Sequence, residues 1–239
     1  MNVHLESPTM RKQQQVWLKE HAIQAALPSL ASLEPASGVV FFVEFLTQQQ
    51  RLTGTAIDIG SGKGRNSFYL AKHSFEVYGI EYIQEAIDFS NKLAEQNTGL
   101  QPVYFQWGEI DKPWPFAENF FDVAIDSFAS IDIETKVGRE LCREEMFRTL
   151  KPGGYALVTV CSIEDEWEKE FITHSPGLEP NSTIWPENGK FQKDYDELEV
   201  KTFYRNFKLI EFKKIVKPAF KLGRSGLATN YWLLLRKPN

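Results

Sequence analysis

The sequence predicts an α/β fold in which a mostly parallel sheet carries helices on both faces and ends in an antiparallel strand. Three observations predict it. A short β-branched strand runs into a glycine-rich turn and a helix within residues 55–66. From Thr55 onward, strand and helix patterns alternate, which is typical of a parallel sheet with crossover helices. Two strand patterns near the C terminus, joined through residues 221–226, favour a hairpin at one sheet edge.

The elements can be assigned in order along the chain. Two helices are predicted within residues 10–50, the second over the apolar run at 38–46. Strands are predicted at 55–59, 75–80, 103–107, 121–126 and 155–160, with helices at 65–73, 82–95 and 135–150 between them. The last of these helices is expected to stop at the Lys-Pro-Gly-Gly of residues 151–154. A helix at 194–206 and strands at 207–216 and 231–235 complete the pattern.

One long connection interrupts this regular pattern. Residues 175–192 are rich in Pro, Gly, Asn and Ser, and they predict a loop. A loop of that length inside a compact domain is usually functional or disordered. The chain is interpreted as one domain with two parts. The N-terminal helices at 1–50 are expected to cover a ligand site, and the main part at 51–239 contains the loop.

Composition narrows the class of protein. The length of 239 residues favours one large domain, and the net charge of −5 disfavours a general attraction to nucleic acid. A basic stretch at 208–224 is interpreted as a solvated strand face and hairpin. The two cysteines, Cys142 and Cys161, predict reduced buried thiols and a cytoplasmic protein. No signal peptide, membrane-spanning run or metal-ligand spacing is predicted.

The most informative motif is Asp58-x-Gly60-x-Gly62-x-Gly64, which joins the first strand of the sheet to a helix. Glycine lets a ligand approach the backbone closely, and the N–H groups at a helix N terminus then face that ligand. A dinucleotide fingerprint requires a third glycine where Arg65 stands, which argues against a NAD-dependent oxidoreductase.

This motif resembles motif I of the class I S-adenosylmethionine-dependent methyltransferases. The resemblance implies a Rossmann-like fold with a seven-stranded sheet, S-adenosylmethionine as the methyl donor and S-adenosylhomocysteine as the product. Residues 62–71, which include Arg65 and Asn66, are also similar to a helix opening in the tellurite-resistance and related small-molecule methyltransferases.

The resemblance and the strand ends together imply site residues. Glu81 ends the second strand, where a carboxylate can accept hydrogen bonds from both ribose hydroxyls. Glu109 follows the third strand and would meet the adenine amino group, although Asp111 is an alternative for that register; Ile110 would supply an apolar face. The cofactor set is Asp58, Gly60, Ser61, Gly62, Gly64, Arg65, Asn66, Glu81, Tyr82, Glu109, Ile110, Asp126 and Ser127.

The acceptor side is less defined. Asp126 ends the fourth strand and is the candidate catalytic residue, while Phe128, Trp185 and Tyr195 are candidates for the walls of the acceptor pocket. The predicted function is methyl transfer to a small-molecule nucleophile by in-line displacement, without a membrane and without a nucleic-acid partner. A protein or RNA methyltransferase and a non-catalytic binding module with the same fold remain alternatives.

Overall fold

The computed structural model describes residues 11–23 and 32–239. Residues 1–10 and 24–31 of the predicted N-terminal helical part lie outside the described residues. The helices are α1 (Lys12–Ile23), α2 (Ser37–Gln48), α3 (Arg65–Lys72), α4 (Gln84–Gln96), α5 (Lys136–Thr149), α6 (Glu166–His174) and α7 (Glu197–Phe203). The strands are β1 (Gly54–Ile59), β2 (Phe75–Glu81), β3 (Val103–Trp107), β4 (Phe121–Ser127), β5 (Leu150–Cys161), β6 (Ser182–Ile184), β7 (Phe191–Lys193), β8 (Lys208–Lys221) and β9 (Arg224–Arg236).

Seven of the strands form one sheet in the order β3-β2-β1-β4-β5-β9-β8. The first five are parallel to one another, while β9 and β8 are antiparallel to their neighbours. The strand order reverses between β1 and β4, so a crevice opens beyond their carboxyl ends, where open α/β sheets bind ligands. The predicted fold class, with its antiparallel C-terminal edge, is confirmed.

The sheet is covered on both faces because its strands alternate between two apolar clusters. Ile57 and Ile59 of β1 belong to the cluster that contains Met146 of α5, whereas Ala56 belongs to the cluster that contains Phe42 of α2. Full burial of such a side chain stabilises the fold by about 1.5–3 kcal/mol. The apolar run at 38–46 is therefore a core helix, as predicted.

Several boundaries differ from the sequence prediction. Helix α5 ends at Thr149, just before residues 151–154 as predicted, but those residues lie within β5, which begins at Leu150. Helix α7 is shorter than predicted, and the β8–β9 hairpin is much longer. The length of the hairpin was underestimated because β8 is exposed or half-buried along its whole length, so its sequence shows no regular alternation of apolar and polar residues.

Helix α6 was not predicted at all. Asp165 caps it, since its carboxylate accepts hydrogen bonds from the backbone N–H groups of Trp167 and Glu168. Trp167 and Phe171 are buried and lie four positions apart, which is helical spacing. An acidic cap followed by this pair is the signal that could have revealed the helix.

The 175–192 segment, predicted as a long loop, contains a small antiparallel sheet. Strands β6 and β7 pair between Ser182 and Lys193 and between Ile184 and Phe191. Trp185 is 1% exposed and packs on Phe171, so a buried side chain orders the connection. Residues 182–193, with β6, β7 and their turn, are called the covering segment below.

None of the described helices is long and apolar enough to cross a membrane. The cytoplasmic location expected from the cysteines remains a prediction.

Candidate functional site

The glycine turn between β1 and α3 forms the floor of the site. Gly60 has a φ of +64°, and a Cβ added there would lie 2.5 Å from the Cβ of Ala129. Gly62 has a φ of +53°, which L side chains rarely adopt. Both glycines line the main cavity, so the local geometry brings bare backbone against any ligand bound there.

Asp58 lies beneath this turn. Its carboxylate is 1% exposed and accepts a hydrogen bond of 2.6 Å from the hydroxyl of Ser67. Burial raises the pKa of Asp58 to about 7, against the opposing effects of the Ser67 hydrogen bond and the Arg65 charge. Asp58 does not line the cavity, whereas Arg65 does. Asp58 thus contacts the start of α3 through Ser67 and has no direct place in the cavity lining.

Glu81 lies at the carboxyl end of β2 and is held by the backbone. Its Oε2 accepts a hydrogen bond of 2.9 Å from Gly62 N, and its Oε1 accepts bonds of 2.8 Å from Tyr82 N and 2.9 Å from Ile83 N. A carboxylate offers about four acceptor positions, so these three bonds leave capacity for a ligand. Burial raises the pKa of Glu81, and the backbone N–H groups oppose that rise.

The loop after β3 contributes a carboxylate pair held by an arginine of the N-terminal segment. Arg11 lies 2.9 Å from Glu109 Oε2 and donates two hydrogen bonds to Asp111, of 2.7 and 2.9 Å. The hydrogen bonds from Arg11 hold the pKa of Asp111 below its usual value, against the effect of its burial. Glu109, Ile110 and Asp111 all line the cavity, so both predicted registers remain open.

Asp126 does not reach the cavity, contrary to its expected catalytic position. Its carboxylate is 1% exposed and points back into the chain, where Oδ1 accepts hydrogen bonds of 3.0 Å from Ala129 N and 3.1 Å from Ser130 N. The carboxylate therefore shapes the turn after β4. Ser127 and Phe128, the next two residues, do line the cavity.

The cavity has a volume of about 510 Å³ and brings most of the predicted residues together. Those that line it are Gly60, Gly62, Arg65, Glu81, Tyr82, Glu109, Ile110, Ser127, Phe128 and Trp185. Those that do not are Asp58, Ser61, Gly64, Asn66, Asp126 and Tyr195.

Two of the predicted residues that do not line the cavity are held by contacts elsewhere. Tyr195 is 2% exposed and packs on Phe203 in the core, which is why it forms no pocket wall. Asn66 accepts a hydrogen bond of 2.9 Å from Ala36 N, and so joins the start of α3 to the segment before α2.

Helix α1 covers the cavity and is attached on two sides. On the glycine-turn side, Gln14 donates to Tyr82 O at 3.0 Å, and Lys63 donates to His21 O at 3.1 Å. On the other side, Gln13 donates to Gly189 O and accepts from Phe191 N, both at 3.0 Å. Polar contacts thus position this helix.

One charged pair in the cavity was not predicted from the sequence. Asp132 lies in the 3₁₀ turn Ser130–Asp132 that follows β4, and its Oδ1 is 3.2 Å from Lys190 Nζ of the covering segment. The side chains are 10% and 4% exposed. An acidic residue shortly after the β4 strand end was a usable signal for Asp132, because ligands bind beyond strand ends. Nothing local marked Lys190.

His21 faces the glycine turn. Burial and the charge of Lys63 lower its pKa to about 4, so the imidazole is neutral at physiological pH. Ser127 Oγ is buried and has no hydrogen-bond partner among the described residues. A buried hydroxyl without a partner, on the wall of a cavity, fits a site that takes a polar ligand.

Comparison with known proteins agrees with this geometry. Residues 53–204, more than half of the chain, match a family described as a methyltransferase domain. A protein-L-isoaspartate O-methyltransferase of Opitutus terrae is 25% identical over 148 residues, which make up 61% of this chain. The chain spans 59% of the length of that curated relative.

Solved structures share the fold. A SAM-dependent methyltransferase of Methanosarcina mazei is 22% identical with a TM-score of 0.69, over 81% of this chain and 97% of that one. TehB of Haemophilus influenzae is 19% identical with a TM-score of 0.61, over 84% and 62%. A 1,6-didemethyltoxoflavin N1-methyltransferase of Burkholderia thailandensis, with bound 1,6-didemethyltoxoflavin and S-adenosylhomocysteine, is 13% identical with a TM-score of 0.66, over 98% and 94%.

Identities this low establish the fold alone, whereas the family match covers most of the parallel sheet and the glycine turn. The chain therefore belongs to the methyltransferase domain family, with the class I fold of the S-adenosylmethionine-dependent methyltransferases.

Proposed function

We propose that this protein transfers a methyl group from S-adenosylmethionine to a small-molecule acceptor. The observation that carries the proposal is the covered cavity. It is continuous from the glycine turn to the covering segment, and its volume of about 510 Å³ lies within the range of about 300–1,000 Å³ for small-ligand pockets. Attachment of α1 on two sides of the cavity leaves a partly enclosed space that suits a small acceptor.

The residues that would hold the cofactor lie along the carboxyl ends of β1, β2 and β3. Glu81 would use its remaining acceptor capacity for the ribose hydroxyls, and the bare backbone of Gly60 and Gly62 would lie against the methionine part. Glu109 or Asp111 would accept from the adenine amino group, beside the apolar side chain of Ile110. The hydroxyl of Ser127, which has no hydrogen-bond partner in the described part of the chain, supports a polar ligand group near the end of β4.

S-adenosylmethionine supplies a methyl group activated by a positively charged sulfur. The work left to the chain is to bind both reactants, align them and exclude water. Phe128 and Trp185 give the acceptor end of the cavity apolar walls, and α1 covers the cavity in part. Arg11 would couple this cover to cofactor binding, since it holds both carboxylates of the adenine side.

A protein acceptor is the second candidate, since the Opitutus relative is named as a protein methyltransferase. Such an acceptor requires an open rim, and the attached α1 argues against one. The basic stretch gives little support to an RNA acceptor, because several of its cations are paired with carboxylates. Lys213 pairs with Glu211, Lys214 with Glu164, Lys221 with Asp165, and Arg224 with Glu170.

The test is calorimetric titration with S-adenosylmethionine and S-adenosylhomocysteine. Both should bind the wild-type protein, and Glu81→Ala should weaken binding by tenfold or more, about 1.4 kcal/mol, because a buried charged hydrogen-bond acceptor is lost. Glu85→Ala, at an exposed position in the first turn of α4, is the matched control and should bind like wild type.

Because Glu81 also accepts from three backbone N–H groups, thermal unfolding of each variant must accompany the titration. A folded Glu81→Ala with unchanged affinity would remove Glu81 from the site. Folded wild-type protein that binds neither ligand would overturn the proposed function and favour a non-catalytic module.

A further inference from the structure

Asp132 occupies a distinctive place in the cavity. It follows β4 by five positions, in the 3₁₀ turn Ser130–Asp132, and its side chain lines the cavity while remaining 10% exposed. Lys190 is its ion-pair partner among the described residues, at 3.2 Å from Oδ1. The pair thus joins the turn after β4 to the covering segment.

The other carboxylates that line the cavity either have several fixed partners or are exposed to solvent. Glu81 accepts from three backbone N–H groups, and Glu109 and Asp111 share Arg11. Glu134 is exposed to solvent. Among the described residues, Asp132 is therefore the largely buried cavity carboxylate whose charged partner is the ammonium of Lys190, which also donates a hydrogen bond of 2.5 Å to Gln192 Oε1.

Aromatic rings lie beside the ammonium that pairs with this carboxylate. Lys190 Nζ, which contacts Asp132, lies 4.1 Å from the ring centroid of Trp185 and 5.5 Å from that of Trp17. Both indoles line the cavity, together with Phe128 and Tyr82. Such walls favour a flat apolar body that carries its polar group at one end.

The charge environment suits a group that takes up a proton near neutral pH. Burial raises the pKa of Asp132 to about 7, and the ammonium of Lys190 opposes that rise. Glu168 of α6 and Asp126 of β4 add negative charge that raises the pKa further. The phenol of Tyr82 also faces this group, and burial raises its own pKa far enough to keep it neutral.

We propose, on the basis of the methyltransferase function above, that Asp132 is the base that removes the acceptor's proton, and that the acceptor is an aromatic molecule with a weakly acidic O–H or N–H. The acceptor's heteroatom forms a bond to the methyl carbon, while the bond from that carbon to sulfur breaks and its electron pair stays on sulfur. The acceptor's proton passes to a carboxylate oxygen of Asp132. The charges of the sulfonium and the carboxylate are both neutralised, so the step balances.

Lys190 has a positioning role in this scheme. Its ammonium stabilises the carboxylate before the proton moves and faces the developing acceptor anion while it moves. Once the product leaves, Asp132 returns its proton to water through the open side of the cavity.

The test uses phenol and 4-nitrophenol as acceptor probes, because they have similar shapes but 4-nitrophenol is ionised in mildly alkaline water and phenol is not. Phenol should bind the wild-type protein loaded with S-adenosylhomocysteine, as measured by calorimetry. With S-adenosylmethionine, the wild-type rate with phenol should rise with pH through about 7, as Asp132 loses its proton, and then level off.

Asp132→Asn should lower turnover of phenol by about a hundredfold or more and abolish the rise near pH 7, since general-base catalysis contributes about 10²–10⁴. Turnover of ionised 4-nitrophenol should fall less than about tenfold. The matched control, Glu187→Gln, removes one charge at an exposed position of the covering segment and should retain both rates. If Asp132→Asn unfolds because Lys190 loses its partner, the double variant with Lys190→Gln removes the unpaired charge.

Each outcome decides one question. Equal losses for both probes, or an unchanged rate with phenol, would overturn the role of Asp132. Wild-type protein that binds S-adenosylhomocysteine but neither binds nor methylates the probes would overturn the acceptor class and leave the proposed function intact. Failure to bind S-adenosylhomocysteine would overturn both.

Discussion

The two ends of the cavity differ in how their polar side chains are held. At the glycine-turn end, Glu81 is fixed by backbone N–H groups, two of them from the residues directly after it. At the covered end, Asp132 is paired with Lys190, which comes from a distant part of the chain. The first arrangement is built from local geometry and the second from long-range packing. A motif can reveal the first end, whereas the second end depends on how the covering segment folds.

Removal of Trp185 is the strongest test of this comparison. Trp185→Ala should lower the free energy of unfolding by about 3–5 kcal/mol, because a large buried side chain is deleted. The indole also donates a 3.3 Å hydrogen bond to Glu168, which would be left without that donor. Urea unfolding measures the loss.

Trp107→Ala is the control for that change, since Trp107 is 55% exposed on the glycine-turn side. It should cost less than about 1 kcal/mol, as expected for a largely exposed residue. If the two variants were equally destabilised, the covering segment would not be part of the core and the comparison would fail.

The pH dependence of stability sharpens the comparison at the glycine-turn end. The pKa of Asp58 rises from about 4 unfolded to about 7 folded because it is buried, so the folded state favours the protonated acid. Its contribution to stability is complete below about pH 4 and is lost as pH rises to about 7. Asp58→Asn lacks this dependence and can still accept from Ser67. Between about pH 4 and pH 7, the free energy of unfolding of Asp58→Asn should rise relative to that of the wild type by up to about 1.4 kcal/mol per pH unit.

Chemical denaturation at several pH values in the absence of cofactor measures this difference. Ser67→Ala serves as a comparison variant, since it removes the hydroxyl that favours the charged form of Asp58 and should extend the same loss to higher pH. A difference between Asp58→Asn and wild type that stays constant with pH would show that Asp58 is ionised throughout.

The smallest effect is expected at Arg11, which links α1 to the loop after β3. Its side chain is 38% exposed, so Arg11→Ala should change stability by less than about 1 kcal/mol. Affinity for S-adenosylhomocysteine should fall by at most about fivefold, and less at high salt, because exposed ion pairs are screened. Lys12→Ala, at an exposed neighbouring position, should leave affinity unchanged. A loss of a hundredfold would mean that Arg11 binds the cofactor directly.

The accuracy of the sequence predictions follows the same division. The strands from β1 to β4 and the glycine turn were predicted to within one or two residues, since β-branched runs and glycines act locally. Helix α6 was missed, and β6 and β7 were read as a loop, because their order comes from Trp167, Phe171 and Trp185 packing on one another and on the β8–β9 hairpin.

The outcome for the candidate site residues shows the same difference between local geometry and long-range packing. Glu81 and Gly60 line the cavity because a strand end and a turn position them directly. Asp126 and Tyr195 do not, since a residue's place near a strand end leaves the direction of its side chain undecided. Asp126 turned back to the backbone of Ala129 and Ser130, which offered hydrogen bonds to a carboxylate that would otherwise be buried without partners.

The sequence alone predicted the fold class, the glycine turn and the carboxylate at the end of β2. These features depend on backbone geometry and on neighbours in the chain. The charged pair at the covered end of the cavity was decided only by tertiary structure. Asp132, Lys190 and Trp17 come from three separate segments, and no local pattern records their approach. When these segments pack together, the carboxylate of Asp132 and the ammonium of Lys190 both leave water. They pair because a buried charge needs a partner of opposite charge.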